Sequence, residues 1–324
     1  MLEATNDGGA TWRTAGSGFP PAFTGLHFAN ERDGYAWAEP HESGNSSPFP
    51  PAPPSKLYLT RDGGANWQPT AITEPVAALT TGATEDWALV GDCPTGGGPC
   101  AFRLVVTADR GTTWTERPLR VSGFVPSVLR AGTNAWVYGS PGEGAAAQLW
   151  FSGDGGRHWS AQPAPDQCDG FYPPRLTAAS TGALWLACAG QPGMGNQGKG
   201  VFRSADGGRH WRPVSLTEIG EGSTIGNIPA YGYLQQFAAA TDSSAWMALN
   251  RGTLLATHDR GVTWSIAPGF PLSELFFSDM QVLDTRHVWV SALDTAYPES
   301  GRAALYRTTD GGHSWLRSSL AIPR

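Results

Sequence analysis

The sequence predicts an all-β fold, a seven-bladed β-propeller of four-stranded antiparallel blades with an incomplete first blade. Three observations predict it. An eight-residue motif occurs seven times, its copies are separated by steps of 45 to 55 residues, and short apolar segments alternate with glycine-rich turns along the chain. One hairpin per period of this length is typical of a radial β array, whose small sheets are stable only beside their neighbours.

The repeated motif has Ser or Thr, then Asp two residues later, Gly two after that and Trp three further on, as in SADGGRHW at 204–211. A short carboxylate can accept backbone N–H bonds, Gly tolerates the positive φ of a tight hairpin, and Trp offers a large apolar face. The motif residues therefore have a predicted structural role. They are Asp7, Asp62, Asp109, Asp154, Asp206, Asp259 and Asp310, with Trp12, Trp67, Trp114, Trp159, Trp211, Trp264 and Trp315.

This motif resembles the Asp-box, or bacterial neuraminidase repeat, and the resemblance covers nearly the whole chain. It implies a propeller of the sialidase-like superfamily, similar in style to photosystem II assembly-factor-like seven-bladed propellers. It implies little about activity, because the repeat also occurs in sialidases, xyloglucan-specific endoglucanases and sortilin-type receptors.

Two further strands precede most motifs, a Trp-bearing apolar run such as DWALVG at 86–91 and another apolar segment before it. One repeat thus predicts a first, second, third and outer strand, with the motif forming the hairpin between the third and the outer strand. The predicted blades are 24–70, 75–118, 124–163, 174–214, 233–268 and 278–319, with 1–16 as a partial blade. Six blades plus an N-terminal hairpin is the alternative. In both cases residues 1–324 are predicted to form a single domain.

Composition narrows the possible partners and the compartment. The net charge of the 324 residues is −6 and no basic run occurs, which disfavours nucleic acid as a partner. The sequence also contains no apolar run long enough to suggest insertion into a membrane. Four cysteines within repeats, Cys93, Cys100, Cys168 and Cys188, predict two disulfides, with reduced thiols as the alternative. We therefore expect a monomer in an extracytoplasmic bacterial location, periplasmic, cell-surface or secreted, although this chain carries no leader.

Candidate binding residues lie in the loops that join second to third strands and one blade to the next. These loops share one face and vary in length, whereas the motif hairpins lie on the other face. Aromatic rings beside carboxylates and guanidinium groups suit a peptide segment or a glycan, and the alternative is that the tyrosines cap blade ends. The candidates are Tyr138, Glu143, Asp166, Asp169, Tyr172, Arg175, Tyr231, Tyr233, Arg251, Asp294 and Tyr297.

The sequence favours binding or scaffolding of a protein segment or glycan over catalysis. A glycoside hydrolase that uses loop carboxylates is the alternative, since such enzymes need two carboxyl groups across the scissile bond. No cofactor or metal is expected, because neither HExxH nor a tight His cluster occurs. The stretch GMGNQGK at 193–199 has the spacing of a phosphate-binding loop but lacks the following Ser or Thr and a helix, so it is interpreted as a flexible loop.

Overall fold

The computed structural model describes residues 2–16, 25–37, 57–92, 100–140, 148–165, 168, 174–179, 183–217, 224–271, 275–294 and 302–321. Within these ranges the regular structure consists of 25 β-strands. None of the described segments forms a helix long and apolar enough to span a membrane.

The strands form antiparallel sheets in chain order. The N-terminal hairpin consists of β1 (Leu2–Ala4) and β2 (Arg13–Gly16). One four-stranded sheet contains β3 (Gly25–Phe28), β4 (Gly34–Trp37), β5 (Leu57–Thr60) and β6 (Gln68–Pro69). The next seven strands are β7 (Val76–Thr80), β8 (Asp86–Asp92), β9 (Cys100–Thr107), β10 (Thr115–Ala131), β11 (Asn134–Ser140), β12 (Gln148–Ser152) and β13 (Ser160–Gln162).

The remaining twelve strands form three four-stranded sheets. The first has β14 (Arg175–Ala178), β15 (Leu184–Gly193), β16 (Asn196–Ser204) and β17 (Arg212–Thr217). The second has β18 (Leu234–Ala239), β19 (Ala245–Leu249), β20 (Thr253–Thr257) and β21 (Ser265–Ile266). The third has β22 (Leu275–Val282), β23 (Val288–Asp294), β24 (Arg302–Thr308) and β25 (Leu316–Ala321).

The long strand β10 belongs to two four-stranded units. Residues 115–123 pair with β9 and residues 124–131 pair with β11, which joins the two units into one seven-stranded sheet. Counted over the described residues, the chain therefore has six four-stranded units and one two-stranded hairpin. This is the alternative count, because no further described strand pairs with β1 or β2.

The chain divides into two compact units. One contains Met1–Asn6 and Thr11–Gln162, and the other contains Asp7–Ala10 and Pro163–Arg324. Each has its own apolar clusters between neighbouring sheets, in the first unit around the buried Trp87 and in the second around the buried Trp185 and Trp246.

The seven motif segments, here called box turns, are 5–12, 60–67, 107–114, 152–159, 204–211, 257–264 and 308–315. In the last six of these turns the Ser or Thr hydroxyl donates to the motif Asp. In one example Ser204 Oγ donates to Asp206 Oδ1 at 2.8 Å, Gly208 N donates to Ser204 Oγ at 2.8 Å, and His210 N donates to Asp206 Oδ1 at 3.0 Å. Because these bonds are local, the motif spacing alone fixes the turn.

Box turns also pack against the preceding sheet. The second-strand Trp246 meets Trp315 of the next box turn edge to face, with ring centroids 5.9 Å apart. Gly312 in the same turn has φ +90°, and a Cβ there would lie only 2.5 Å from Trp246 Cη2. Only glycine therefore allows the turn to lie this close to the neighbouring indole.

Candidate functional site

The predicted ligand residues are spread over both compact units. Tyr138 on β11 is buried in the first unit, its hydroxyl has no hydrogen-bond partner among the described residues, and burial raises its pKa. Arg175, Tyr231, Tyr233 and Arg251 belong to the second unit. The other candidates, Glu143, Asp166, Asp169, Tyr172 and Tyr297, lie outside the described residues, and of Asp294 only the backbone is described, at the end of β23.

The glycine-rich stretch 193–199 belongs to a β-hairpin, so its interpretation as a flexible loop was wrong. Strands β15 and β16 pair up to Gly193 and Asn196, and the turn is Met194-Gly195 with φ of 52° and 86°. Gly195 accepts its positive φ without strain, which allows the two strands to continue to the tip of the hairpin.

Lys199 on β16 is the centre of this region. Its side chain is only 2% exposed, and its Nζ donates to four backbone carbonyl oxygens, those of Gln197 (2.9 Å), Ala230 (3.1 Å), Tyr231 (3.4 Å) and Gly232 (2.8 Å). Burial lowers the pKa of Lys199 to about 8, so the ammonium is still charged at pH 7. A charged donor thus attaches residues 230–232 to the hairpin.

Further hydrogen bonds fix the same two segments to each other. Gln197 N donates to Ala230 O at 2.8 Å, and Gly232 N donates to Gly195 O at 2.9 Å. The buried Gln197 side chain accepts from Leu234 N at 2.7 Å and donates to Gly190 O at 2.9 Å. The backbone of the hairpin tip and of residues 230–234 is therefore held from both sides.

The framework presents Met194, Gly195, Tyr231, Tyr233 and Arg251, here called the Lys199 surface. Met194 is fully exposed and Tyr231 is 43% exposed. Gly195 N donates to Tyr233 Oη at 3.1 Å, and the Arg251 guanidinium lies beside Gly195, since a Cβ there would be 2.7 Å from Nη2. Three predicted ligand residues, the two tyrosines and Arg251, therefore surround one hairpin tip.

Arg175 is used differently, because its Nη2 donates to Gln235 O at 3.1 Å and links β14 to β18. Sequence reasoning missed Met194 and Lys199. The available signal was that Lys199 is one of only two lysines in the chain. Among the described residues, no three His, Cys, Asp or Glu side chains are grouped so that they could hold a metal ion.

Comparison with known proteins bears on the fold. No family model and no curated protein matches the chain. A structure of YCF48 bound to a D1 peptide is similar with a TM-score of 0.59 at 18% identity, over 92% of this chain and 81% of that one. YCF48 from Cyanidioschyzon merolae is similar with a TM-score of 0.55 at 15% identity, over 91% and 84%.

An α-L-arabinanase from Penicillium chrysogenum, complexed with arabinobiose, is similar with a TM-score of 0.53 at 13% identity, over 86% of this chain and 90% of that one. The fold is a β-propeller. Each four-stranded unit is a blade of this propeller, with box turns at one end and hairpins between second and third strands at the other. The Lys199 surface of the propeller lies at the latter end, as the sequence predicted for the variable loops.

Proposed function

We propose that this propeller is a non-catalytic binding module that recognises a protein segment through the Lys199 surface. One observation carries the proposal. An exposed Met, an exposed Tyr and an Arg surround a hairpin tip whose backbone is fixed by a buried lysine. A thioether adapts to varied apolar side chains, while Tyr and Arg are the residue types that dominate binding energy at protein interfaces.

The composition of this surface argues against hydrolysis there. Residues 192–198, 224–233 and 250–252 contain no Asp or Glu, whereas glycoside hydrolysis requires two carboxyl groups flanking the scissile bond. Both kinds of ligand occur among propellers of this fold, since YCF48 is bound to a D1 peptide and the arabinanase to arabinobiose. The exposed methionine favours a peptide over a sugar, because thioethers pack best against apolar and aromatic groups.

An extracytoplasmic location is part of the proposal. Cys168 and Cys188 form a disulfide with a Cα–Cα distance of 5.3 Å. Cys100 is also disulfide-bonded, while Cys93 lies outside the described residues. Disulfides persist mainly in oxidising compartments, which supports a periplasmic, cell-surface or secreted protein.

Selection of peptides from a random display library, followed by fluorescence anisotropy of the selected peptides, tests the function. Tyr231→Ala and Met194→Ala should each weaken binding about tenfold, because each removes a large contact from the surface. The control is Leu283→Ala, an equally apolar residue, 72% exposed, in the turn between β22 and β23 at the opposite end of its blade. It should leave binding unchanged.

Two results would contradict the proposal. Selected peptides could bind Tyr231→Ala and Met194→Ala as tightly as the wild type, which would remove the Lys199 surface from recognition. Alternatively, a glycan panel could yield reducing sugar in the presence of the wild-type protein, which would identify a hydrolase.

A further inference from the structure

A depression of about 540 Å³, open to solvent, lies at the box-turn end of two neighbouring blades in the second compact unit. Its walls come from the blade β14–β17 and from the following blade β18–β21. The lining residues used below are Arg203, Asp206, Trp211, Arg212, Asp242 and Arg260. None of them belongs to the Lys199 surface, which lies at the other end of these blades.

The depression contains three guanidinium groups, of which Arg203 is influenced by the charge of Asp242 without a direct ion pair. Within the described part of the chain, no ion pair forms at Arg203, Arg212 or Arg260. The Nε of Arg203 is buried and has no hydrogen-bond partner among the described residues, although its guanidinium lies 4.7 Å from the ring centroid of Trp185.

By count, the charged groups that line the depression carry more positive than negative charge. Burial lowers the pKa of Arg203, the nearby Asp242 opposes this effect, and Arg260 and Arg212 add to it. Asp206 is occupied within its own box turn, where it accepts from Ser204 and His210. Three guanidinium groups against two carboxylates leave a local charge of +1 in a chain whose net charge is −6.

The repeat supplies an internal comparison for Arg260. Arg110 occupies the same box position, also at positive φ, and donates to Asp86 Oδ1 at 2.6 Å. Asp86 on β8 pairs with Thr107, the first residue of its box turn. In the blade of Arg260 the corresponding residue is Ala245, which pairs with Thr257. One blade thus neutralises this arginine with a buried acid on its second strand, whereas the other has Ala245 at that place.

Arg203 has a counterpart as well. Arg307 also directly precedes the first residue of its box turn, and its Nη1 donates to Asp7 O at 3.1 Å. Arg203 lacks such an acceptor among the described residues. Arg110 and Arg307 therefore each have a hydrogen-bond acceptor. Arg260 and Arg203, which hold the corresponding positions at the depression, lack these acceptors among the described residues.

We propose that this depression is a second binding site, which takes a carboxylate side chain from an acidic segment of a partner protein. The guanidinium fork matches the geometry of a carboxylate, and a single negative charge balances the local excess. A phosphate dianion carries a second negative charge, which the carboxylates of Asp206 and Asp242 in the wall would repel. The open shape fits a protruding side chain better than a small molecule, which needs an enclosed apolar pocket. Arg and Trp are also the residue types favoured at the centres of protein interfaces.

Fluorescence anisotropy with labelled hexaglutamate tests the site, with hexaglutamine as the neutral probe. The double variant Arg212→Gln, Arg260→Asn should weaken hexaglutamate binding at least about tenfold, since both changes remove a charged partner. Asn is chosen at 260 because it tolerates the φ of 69°. The matched control is Arg13→Gln, Arg157→Gln. Arg13 follows Trp12 as Arg212 follows Trp211, and Arg157 lies in a box turn of another blade. It should change binding less than about twofold, because only the bulk charge differs.

A variant that binds more tightly cannot be explained by loss of folding, so it tests the site separately from protein stability. Asp242→Asn removes a competing carboxylate and should tighten hexaglutamate binding by about threefold or more. Absence of hexaglutamate binding, equal binding of hexaglutamine, or an equal loss in the Arg13, Arg157 control would overturn the site. Tighter binding of digalacturonate or of a phosphoserine peptide than of hexaglutamate would overturn the assignment to an acidic protein segment.

Discussion

Arg110 Nη1 lies 2.6 Å from Oδ1 of Asp86, whose side chain is completely buried. Tyr35 Oη of the preceding blade donates to Asp86 Oδ2 at 2.7 Å, and Gly82 N donates to Oδ1 at 3.2 Å. Burial is the main cause that raises the pKa of Tyr35, so it stays a neutral donor. One buried carboxylate therefore joins two blades through three donors, of which only Arg110 is charged.

Replacing Arg110 by Ala should destabilise the protein strongly. The buried carboxylate would keep only neutral donors, and an uncompensated buried charge costs about 3 kcal/mol of unfolding free energy. Urea denaturation measures the loss. The control Arg157→Ala, at an exposed arginine that donates to Asp154 O, should cost less than about 0.5 kcal/mol. Equal losses for both variants would contradict the assigned role of the Asp86 pair.

Replacing Gly312 by Ala tests the approach of box turn and indole. The alanine would have to adopt the φ of +90° that Gly312 has, and its Cβ would lie 2.5 Å from Trp246 Cη2. We therefore expect the free energy of unfolding to fall by about 2 to 3 kcal/mol through backbone strain and overpacking. Gly193→Ala is the control, because a Cβ there meets nothing within 4 Å. Thermal unfolding should show a clear decrease in Tm for the first variant only.

Acid should destabilise the box turns over a defined pH range. Hydrogen bonds from the Thr113 backbone and hydroxyl, and from Thr107, lower the pKa of Asp109 from 3.8 to about 2. In this range the unfolded chain binds the proton first, so the stabilising contribution is complete above about pH 4 and is lost as the pH falls towards 2. Tm measured from pH 6 to pH 2 should therefore decline more steeply for the wild type than for Asp109→Ala. Parallel curves would contradict this account.

Lys199→Met should release the hairpin tip. The four carbonyl oxygens would lose their charged donor, which we expect to cost about 2 kcal/mol or more because buried acceptors become unsatisfied. Hydrogen exchange gives the local readout. The amides of Gln197 and Gly232 should lose protection, whereas the amide of Gly155, bonded to Thr133 O in the other compact unit, should keep it. Unchanged protection of Gln197 and Gly232 would show that Lys199 does not hold this region.

The disulfide of Cys168 and Cys188 should stabilise the protein by restricting the unfolded chain. The two residues are 20 positions apart, for which loop closure predicts about 3 kcal/mol. Cys168→Ser, Cys188→Ser should lose this amount in urea denaturation. Mass measurement after alkylation of the native, unreduced protein should detect no modification at either position. Alkylation of both thiols would contradict the bond and the extracytoplasmic location inferred from it.

Sequence predicted the repeat because its physics is local. The bonds between Ser204, Asp206 and Gly208 join residues at most four positions apart, so the motif spacing contains them. The strand order within each blade followed from the same period. The count of six blades and a hairpin could not be decided in this way, because it depends on which strands pair with β1 and β2. Whether residues 1–324 form a single domain stays a prediction.

The candidate sites were predicted only in part. Tyr231, Tyr233 and Arg251 were expected at one end of the blades, but Lys199 was not, because three of its four acceptors lie more than thirty positions away in sequence. The arginine depression combines a third strand, an outer strand and a box turn from two blades. The repeat contained a signal for this depression. Arg110 and Arg260 replace the glycine that follows the motif Asp in the other box turns. Only the blade of Arg110 has an acid, Asp86, at the start of its second strand.

Strand β10 has a consequence for engineering the chain. The junction between its two blades is a continuous, hydrogen-bonded strand, whereas neighbouring strands of other adjacent blades belong to separate sheets. The backbone passes directly from one ladder to the next at Gly123 and Phe124, and the register of the β11 ladder shifts between Phe124 and Ser127. An inserted sequence here would interrupt two ladders at once, so the other blade junctions are the better positions for fusing a reporter or opening the chain in a circular permutant.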